Sequence, residues 1–289
     1  QVITHLQVIT HLQVITHLNH KHIVQKEISL LKDALFEASD CIKEMQQSLK
    51  VSSKKHIVDL VTEADLKSEE ILMKAIKKHF PDDGIISEES ETIKSSTKRS
   101  WIIDPLDGTV NYANNIPQVA ITLMLLEDTK PTQAYVLDIY NDVLYEGYKG
   151  SGSYKNGEKL SIKKDTTIQK SIIATGFPYD RVFNSKDYMK TFEAVLKSCG
   201  GIRRFGTAAL DVCWIADNKF DGYFEFFTKP WDTLGASLIL EEAGGVVIDE
   251  VEKFPSISSN LIIASNKSIH EDLKKLVLSN IETTLKKRL

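Results

Sequence analysis

Cysteine is scarce in this chain: three in 289 residues, Cys41, Cys199 and Cys213, far apart and odd in number. That excludes a disulfide framework and suits a reducing compartment. Long apolar runs are missing too, and no stretch approaches the roughly 20 residues a membrane span needs. The opening residues are too interrupted by His and Gln to read as a secretory signal. The expected address is the cytoplasm, with no membrane contact. Nor is there an excess of positive charge. Lys and Arg number 36 against 40 Asp and Glu, a net charge of −4, and the basic residues are dispersed. Nucleic acid is therefore not an expected partner.

Apolar residues are plentiful, at 42%, enough for a substantial core. The hexapeptide QVITHL occurs three times between Gln1 and Leu18, and NHKH follows. Five of the eight histidines (His5, His11, His17, His20, His22) fall here, a composition open to metal capture. A period of six matches neither helix nor heptad, and we read residues 1–20 as an artefactual or dispensable tail. Residues 21–289 form one expected domain of two packed halves, roughly 21–155 and 156–289.

Apolar residues at Ile28, Leu31, Leu35, Ala38, Ile42, Met45 and Leu49 keep a 3-4 spacing and predict a long amphipathic helix. A second helix is expected from Thr62 to His79, stopped by Pro81. Strands are expected at 84–86, 101–103, 119–126, 133–140, 143–148 and 152–154. Asn141-Asp142 and Asn156-Gly157 supply turns among them. Further strands are expected at 171–174, 222–226, 246–248 and 261–264. Helices are expected at 186–198 and 208–217, from Trp231 to the Ala243-Gly244-Gly245 stop, and from Ile269. Strands in antiparallel blocks alternating with helices point to a layered α+β fold rather than a doubly wound sheet.

The chemistry is concentrated in WIIDPLDGT, residues 101–109. Asp104 ends a strand, Pro105 has no N–H and turns the chain, and Gly108 permits unusual backbone angles. Thr109 can open a helix whose free N–H groups suit a phosphate. Two hard anionic donors held together are costly unless a cation sits between them, and Mg²⁺ suits such donors. Taken alone, a solvated turn with a capping aspartate serves as well. The spacing does not fit an EF-hand. Other acidic residues stand at comparable corners. Glu88 and Glu89 follow a short strand, where an exposed pair is an ordinary finding. Asp65 lies in Thr62-x-x-Asp65, which equally satisfies a capping box, and Asp232 occupies the natural N-cap of its helix.

With VDLVTEAD (58–65), SEES (87–90), WIIDPLDGTVNY (101–112), GTAALD (206–211) and WDTLGASLILEEAGG (231–245) in this order, the chain resembles the inositol monophosphatase family. The resemblance runs from about residue 25 onward. It implies a layered α/β/α/β/α sandwich of the inositol monophosphatase/fructose-1,6-bisphosphatase type, a homodimer, and a lithium-sensitive phosphatase with two to three Mg²⁺ per site. Position by position, Glu88 resembles the glutamate shared between metals and Asp104 the bridging aspartate. Asp107 and Asp232 resemble ligands of the second metal, and Leu106 would lend its carbonyl to the first. Thr109 and Asp65 resemble the pair that orients the attacking water with Glu88, and the N–H groups of Gly108 and Thr109 would cradle the phosphate. Glu225 and Ala208 resemble contacts to the substrate's hydroxyls, although Glu225 also reads as a strand-end surface charge. No Ser/His/Asp or Cys/His set appears at family positions, and the cysteines read as core residues.

Two departures stand out: Ser87 replaces a common glycine, and the loop 91–100 is short. The implied substrate is a small phosphorylated polyol, inositol monophosphate. Fructose 1,6-bisphosphate, NADP and adenosine 3′,5′-bisphosphate are alternatives, as is a non-catalytic phospholigand-binding protein.

Overall fold

The computed structural model describes residues 30–46, 51–53, 60–163, 165–178, 181–281, 287 and 289. The hexapeptide repeat, Ile28 and Leu49 lie outside the described residues. Helix α1 covers 30–45 and buries the expected stripe, with Leu31, Leu35, Ala38 and Ile42 at most 1% exposed. A short antiparallel pair, β1 (Val51–Ser53) and β2 (Leu60–Thr62), leads into α2 (Glu63–His79). Thr62 is the N-cap of α2 and closes a capping box with Asp65, so the local signal in the sequence is used as written.

Among the described residues, the first sheet has seven strands in sequence order: β3 (Gly84–Ser87), β4 (Arg99–Asp107), β5 (Ala120–Glu127), β6 (Lys130–Asp138), β7 (Val143–Tyr148), β8 (Gly152–Lys155) and β9 (Glu158–Lys159). Only β3 and β4 run parallel in it. Asp142 and Asn156 take the left-handed backbone conformation their turns require, as does Gly157. The second sheet holds β10 (Ile172–Thr175), β11 (Gly201–Arg203), β12 (Gly222–Phe226), β13 (Val246–Ile248) and β14 (Leu261–Ser265). Its order is β11-β10-β12-β14-β13. Strand β11 is too short and too exposed to carry a periodic signal, and the sequence reading misses it. Helices α3 (Thr109–Ala113), α4 (Arg181–Ser198), α5 (Ala208–Ala216), α6 (Pro230–Glu242) and α7 (His270–Ser279) complete the fold.

Side-chain alternation builds the layers. Along β4, Trp101 and Ile103 face α1 and α2, whereas Ile102 faces the other way, toward α5 and α6. On β5, Ile121, Leu123 and Leu125 join the first core and Ala120, Met124 and Leu126 the second. In the second sheet Ala174, Tyr223 and Ile262 meet α5 and α6, and Ile173, Phe224 and Ile263 meet α4 and α7. The sequence of layers is therefore α/β/α/β/α, as the resemblance implies. Helix α6 lies between both sheets and is buried at every position from Thr233 to Leu240, which explains its apolar circumference. Its approach is close: a Cβ on Gly147 of β7 would stand 2.9 Å from Ile239 Cγ1 and 3.0 Å from Ile239 Cα. Of the cysteines, Cys213 is buried, while Cys41 and Cys199 are half-buried, and all three are free thiols. Among the described residues, no helix is long and apolar enough to cross a membrane.

Candidate active site

Strand register places the first two acidic positions. In the parallel pair β3–β4, Ser87 stands opposite Ile103, so Glu88 leaves the sheet beside Asp104. Contrary to the sequence reading, β4 neither ends at Asp104 nor turns at Pro105; it continues to Asp107. Against β5, Asp104 pairs with Thr122 and Asp107 with Ala120, with a break in register between them. Thr122 and Ala120 are two residues apart and share a face. One extra residue on β4 therefore brings Asp104 and Asp107, three apart, onto that same face. Such a bulge tolerates a proline without N–H. The side chain of Asp104 steadies it, accepting from the Leu106 N–H at 3.0 Å.

The remaining elements are tied to this bulge. Thr122, across from Asp104, donates its hydroxyl to the Trp231 carbonyl at 2.8 Å, which seats the start of α6 there and delivers Asp232. Asp232 is not the N-cap that the sequence suggests. Lys229 is the cap and Pro230 opens the helix, because a proline without N–H fits the first helical position. Asp232 accepts from the Lys229 N–H at 2.7 Å from within the first turn. Asp107 accepts from the Ala209 N–H of α5 at 2.9 Å. The loop before α5 is held as well. Asn111 donates to the carbonyls of Gln118 and Phe205, and Thr207 donates to Gln118. Gly108 caps α3 in the left-handed region, at φ 98°. A Cβ there would lie 2.8 Å from the Gln118 carbonyl oxygen and 2.9 Å from Thr207 Oγ1.

Asp65 and Thr109 do meet. The buried Asp65 carboxylate accepts from the Thr62 N–H and hydroxyl. The Thr109 hydroxyl lies 3.1 Å from Asp65 Oδ1 and 3.2 Å from the Leu106 carbonyl oxygen. One proton faces two acceptors, so anything that occupies the Leu106 carbonyl turns Thr109 wholly toward Asp65.

Charge unites the group. Burial, then Glu88, Asp107 and Asp232 in that order, push the Asp104 carboxyl well above the ordinary range. Asp107 is pushed up to about 8, by burial first, with the Ala209 N–H pulling the other way and Glu88 and Glu225 adding repulsion. Burial, Glu88 and Asp107 also raise Asp232. Asp104 is 1% exposed, whereas Asp107 and Asp232 keep an edge in solvent. Asp65 is raised chiefly by burial, against the pull of its Thr62 and Thr109 hydrogen bonds. Among the described residues, no group of three or more His, Cys, Asp or Glu side chains is placed so that it could hold a metal ion as it stands. The arrangement is one of mutual repulsion rather than a closed cage. In donor chemistry it fits a hard divalent cation: every candidate ligand is oxygen, and a cation offsets the repulsion.

Asp107, Ala208, Glu225 and Asp232 line one cavity of about 90 Å³. Glu225, far from being a surface charge, is half-buried there and accepts from the Tyr223 hydroxyl. Of the other lining residues, Arg204, Asp211 and Lys229 are charged and were given no role in the sequence reading, although Asp211 closes the motif GTAALD. The signal for Asp211 was a single acid in the apolar helix AALDVCWIA. A larger hollow of about 820 Å³ between α1 and α2 involves none of the site residues.

Residues 23–283 match the model of the inositol monophosphatase family. A fructose-1,6-bisphosphatase/inositol-1-monophosphatase of Aquifex aeolicus is 34% identical over 264 residues, covering 91% of this chain and 99% of that one. A Nus factor SuhB of Vibrio cholerae is 36% identical over 209 residues, 72% of this chain and 78% of its own. The crystal structure of the extragenic suppressor protein suhB from Bartonella henselae superposes with a TM-score of 0.82 at 31% identity, covering 86% of this chain and 97% of that one.

Proposed function

This chain belongs to the inositol monophosphatase family, and we propose that it is a Mg²⁺-dependent phosphomonoesterase that hydrolyses inositol monophosphate to inositol and phosphate. The observation that carries the reading is the break in register of β4 on β5, which turns Asp104 and Asp107 to one face beside the start of α6 and Asp232; the repulsion among these carboxylates and Glu88 supports it. Glu88, Asp104, Asp107, Asp232 and the Leu106 carbonyl would hold the cations. When bound, Mg²⁺ eases deprotonation of water and neutralises charge on the leaving oxygen.

The chain's own groups do the rest. Asp65, anchored by Thr62, keeps the Thr109 hydroxyl in a fixed orientation, and that hydroxyl with Glu88 positions the attacking water in line with phosphorus. The N–H groups of Gly108 and Thr109, at the start of α3, bind the phosphate oxygens. Ala208 and Glu225 face the alcohol portion of the ester. A charged oxygen accepting from a hydroxyl favours a polyol over an apolar alcohol.

The test is phosphate release from inositol 1-phosphate, fructose 1,6-bisphosphate, NADP and adenosine 3′,5′-bisphosphate, with and without Mg²⁺, beside Asp107→Asn. Mg²⁺-dependent release that the substitution abolishes supports the reading, and the ranking identifies the substrate. A second reading has a specific motive, because the Vibrio cholerae relative is named a Nus factor. In that case the chain binds a macromolecular partner, and folded protein would release no phosphate from any of the four esters.

A further inference from the structure

Helix α2 buries one stripe, Asp65, Ser68, Glu69, Leu72 and Ile76, at the spacing of a core-facing side. Its second half is apolar, as packing requires, but its first three members are polar and at most 4% exposed. Burying polar side chains is costly unless each finds a partner, and each of these three grips a different segment of the site. Asp65 accepts from Thr109 at the start of α3. Ser68 donates to the Pro105 carbonyl at 2.8 Å. Pro105 lies within the break in register of β4 on β5, where a bulge leaves backbone groups without ladder partners, so Ser68 supplies the donor that the sheet does not. Glu69 accepts from the Ser90 hydroxyl, and its other carboxyl oxygen has no partner among the described residues. Ser90 stands two residues past Glu88, in the loop between β3 and Ile93, which folds back to bridge Ile85. Adjacent residues of one helix thus anchor the loop that carries Glu88 and the bulge that carries Asp104 and Asp107.

We propose that Ser68 and Glu69 are positioning residues that fix the separation between Glu88 and the Asp104–Asp107 bulge, and with it the preference of the site for Mg²⁺ over the larger Ca²⁺. Both act through the ligands they hold. Mg²⁺ demands short, near-octahedral oxygen contacts, whereas Ca²⁺ accepts longer and less regular ones, so a rigid frame discriminates between them. A helix supplies that rigidity, because neighbouring positions along it keep a constant spacing. Releasing either anchor lets Glu88 and the bulge drift relative to each other, which costs the smaller ion more than the larger.

This inference rests on the cation ligands of the phosphatase reading, and its test reads binding rather than turnover. Mg²⁺ and Ca²⁺ are titrated separately, by calorimetry, into the metal-free wild type, Ser68→Ala, Ser90→Ala and Ser90→Thr, with thermal melting to establish that each is folded. The Kd for Mg²⁺ rises roughly tenfold to a hundredfold in the two alanine variants, the usual cost of losing a group that orients a metal ligand. The Kd for Ca²⁺ changes by less than about threefold, because its geometry is forgiving. Ser90→Thr keeps the hydroxyl and binds Mg²⁺ nearly as the wild type does. Ser90 is itself exposed, so its variants carry the test if Ser68→Ala does not fold. Unchanged Mg²⁺ affinity in the folded alanine variants overturns the proposal, as does an equal loss for both cations. Binding as weak in Ser90→Thr as in Ser90→Ala also overturns it, since the hydroxyl would then be irrelevant. A wild type that binds Mg²⁺ but releases no phosphate from inositol 1-phosphate or the other three esters overturns the phosphatase reading and leaves this inference standing. A wild type that binds no Mg²⁺ overturns both.

Discussion

The Thr109 hydroxyl lies 3.1 Å from Asp65 Oδ1, joining the start of α3 to the first turn of α2. The same carboxylate closes the capping box of α2, so a helix cap and a water-orienting pair share one side chain. Thr109→Val separates the two uses. It removes the hydroxyl and leaves the cap, and kcat for phosphate release is expected to fall about a hundredfold, with the melting temperature nearly unchanged. A role in capping alone predicts unchanged kcat.

Repulsion among the buried carboxylates makes a signed prediction. Asp104→Asn removes a charge from the group, so the metal-free protein should melt higher than the wild type. Added Mg²⁺ should raise the melting temperature of the wild type, by an amount equivalent to about 2.7 kcal/mol at one hundred times its Kd. The variant should show little or no rise. Calorimetry at several Mg²⁺ concentrations reads both effects, and a variant that responds like wild type would remove Asp104 from the ligand set.

Gly108 can be replaced only at a cost in stability and in the site together. Its backbone angle, and the mere 2.8 Å that would separate an added Cβ from the Gln118 carbonyl oxygen, leave no room for a methyl group. Gly108→Ala should cost about 2 kcal/mol or more in urea unfolding. It should also abolish phosphate release, because relief of the clash displaces the N–H groups of residues 108 and 109.

The pH dependence of stability should carry a signature of His270. Burial holds its imidazole below the ordinary range, with Glu271, Lys274 and Glu252 as the nearby charges, and Nδ1 lies 2.9 Å from Ser265 Oγ. A depressed pKa means the unfolded chain takes up the proton first. The contribution is therefore complete above about pH 6.5 and is lost as pH falls through the folded value. His270→Gln should flatten the decline in melting temperature below pH 6.5, whatever its effect at pH 8. A decline of equal slope in both proteins would contradict this.

Much of the architecture was legible before any coordinates, for local reasons. The α1 stripe, the Thr62 cap, the Asn156-Gly157 turn and the Gly244 stop each depend on a few neighbouring residues. The carboxylates were also visible, because their spacing is written in WIIDPLDGT. The geometry of Asp104 and Asp107 was not. A proline in a strand reads as its end, and only the partner register across β5 reveals a bulge that restores both side chains to one face. Asp232 was misplaced by three positions relative to its cap, since Pro230 and an N-cap aspartate compete for the same signal.

The candidate site draws on residues 65 to 232 and on helices packed against both sheets, with α6 wedged between them. No early fragment of the chain can present the full set of carboxylates, so a cation has nothing to seize until the sandwich has closed. Mg²⁺ should consequently act as a latch and not as a seed: it slows the unfolding rate and leaves the folding rate of the nascent chain almost untouched.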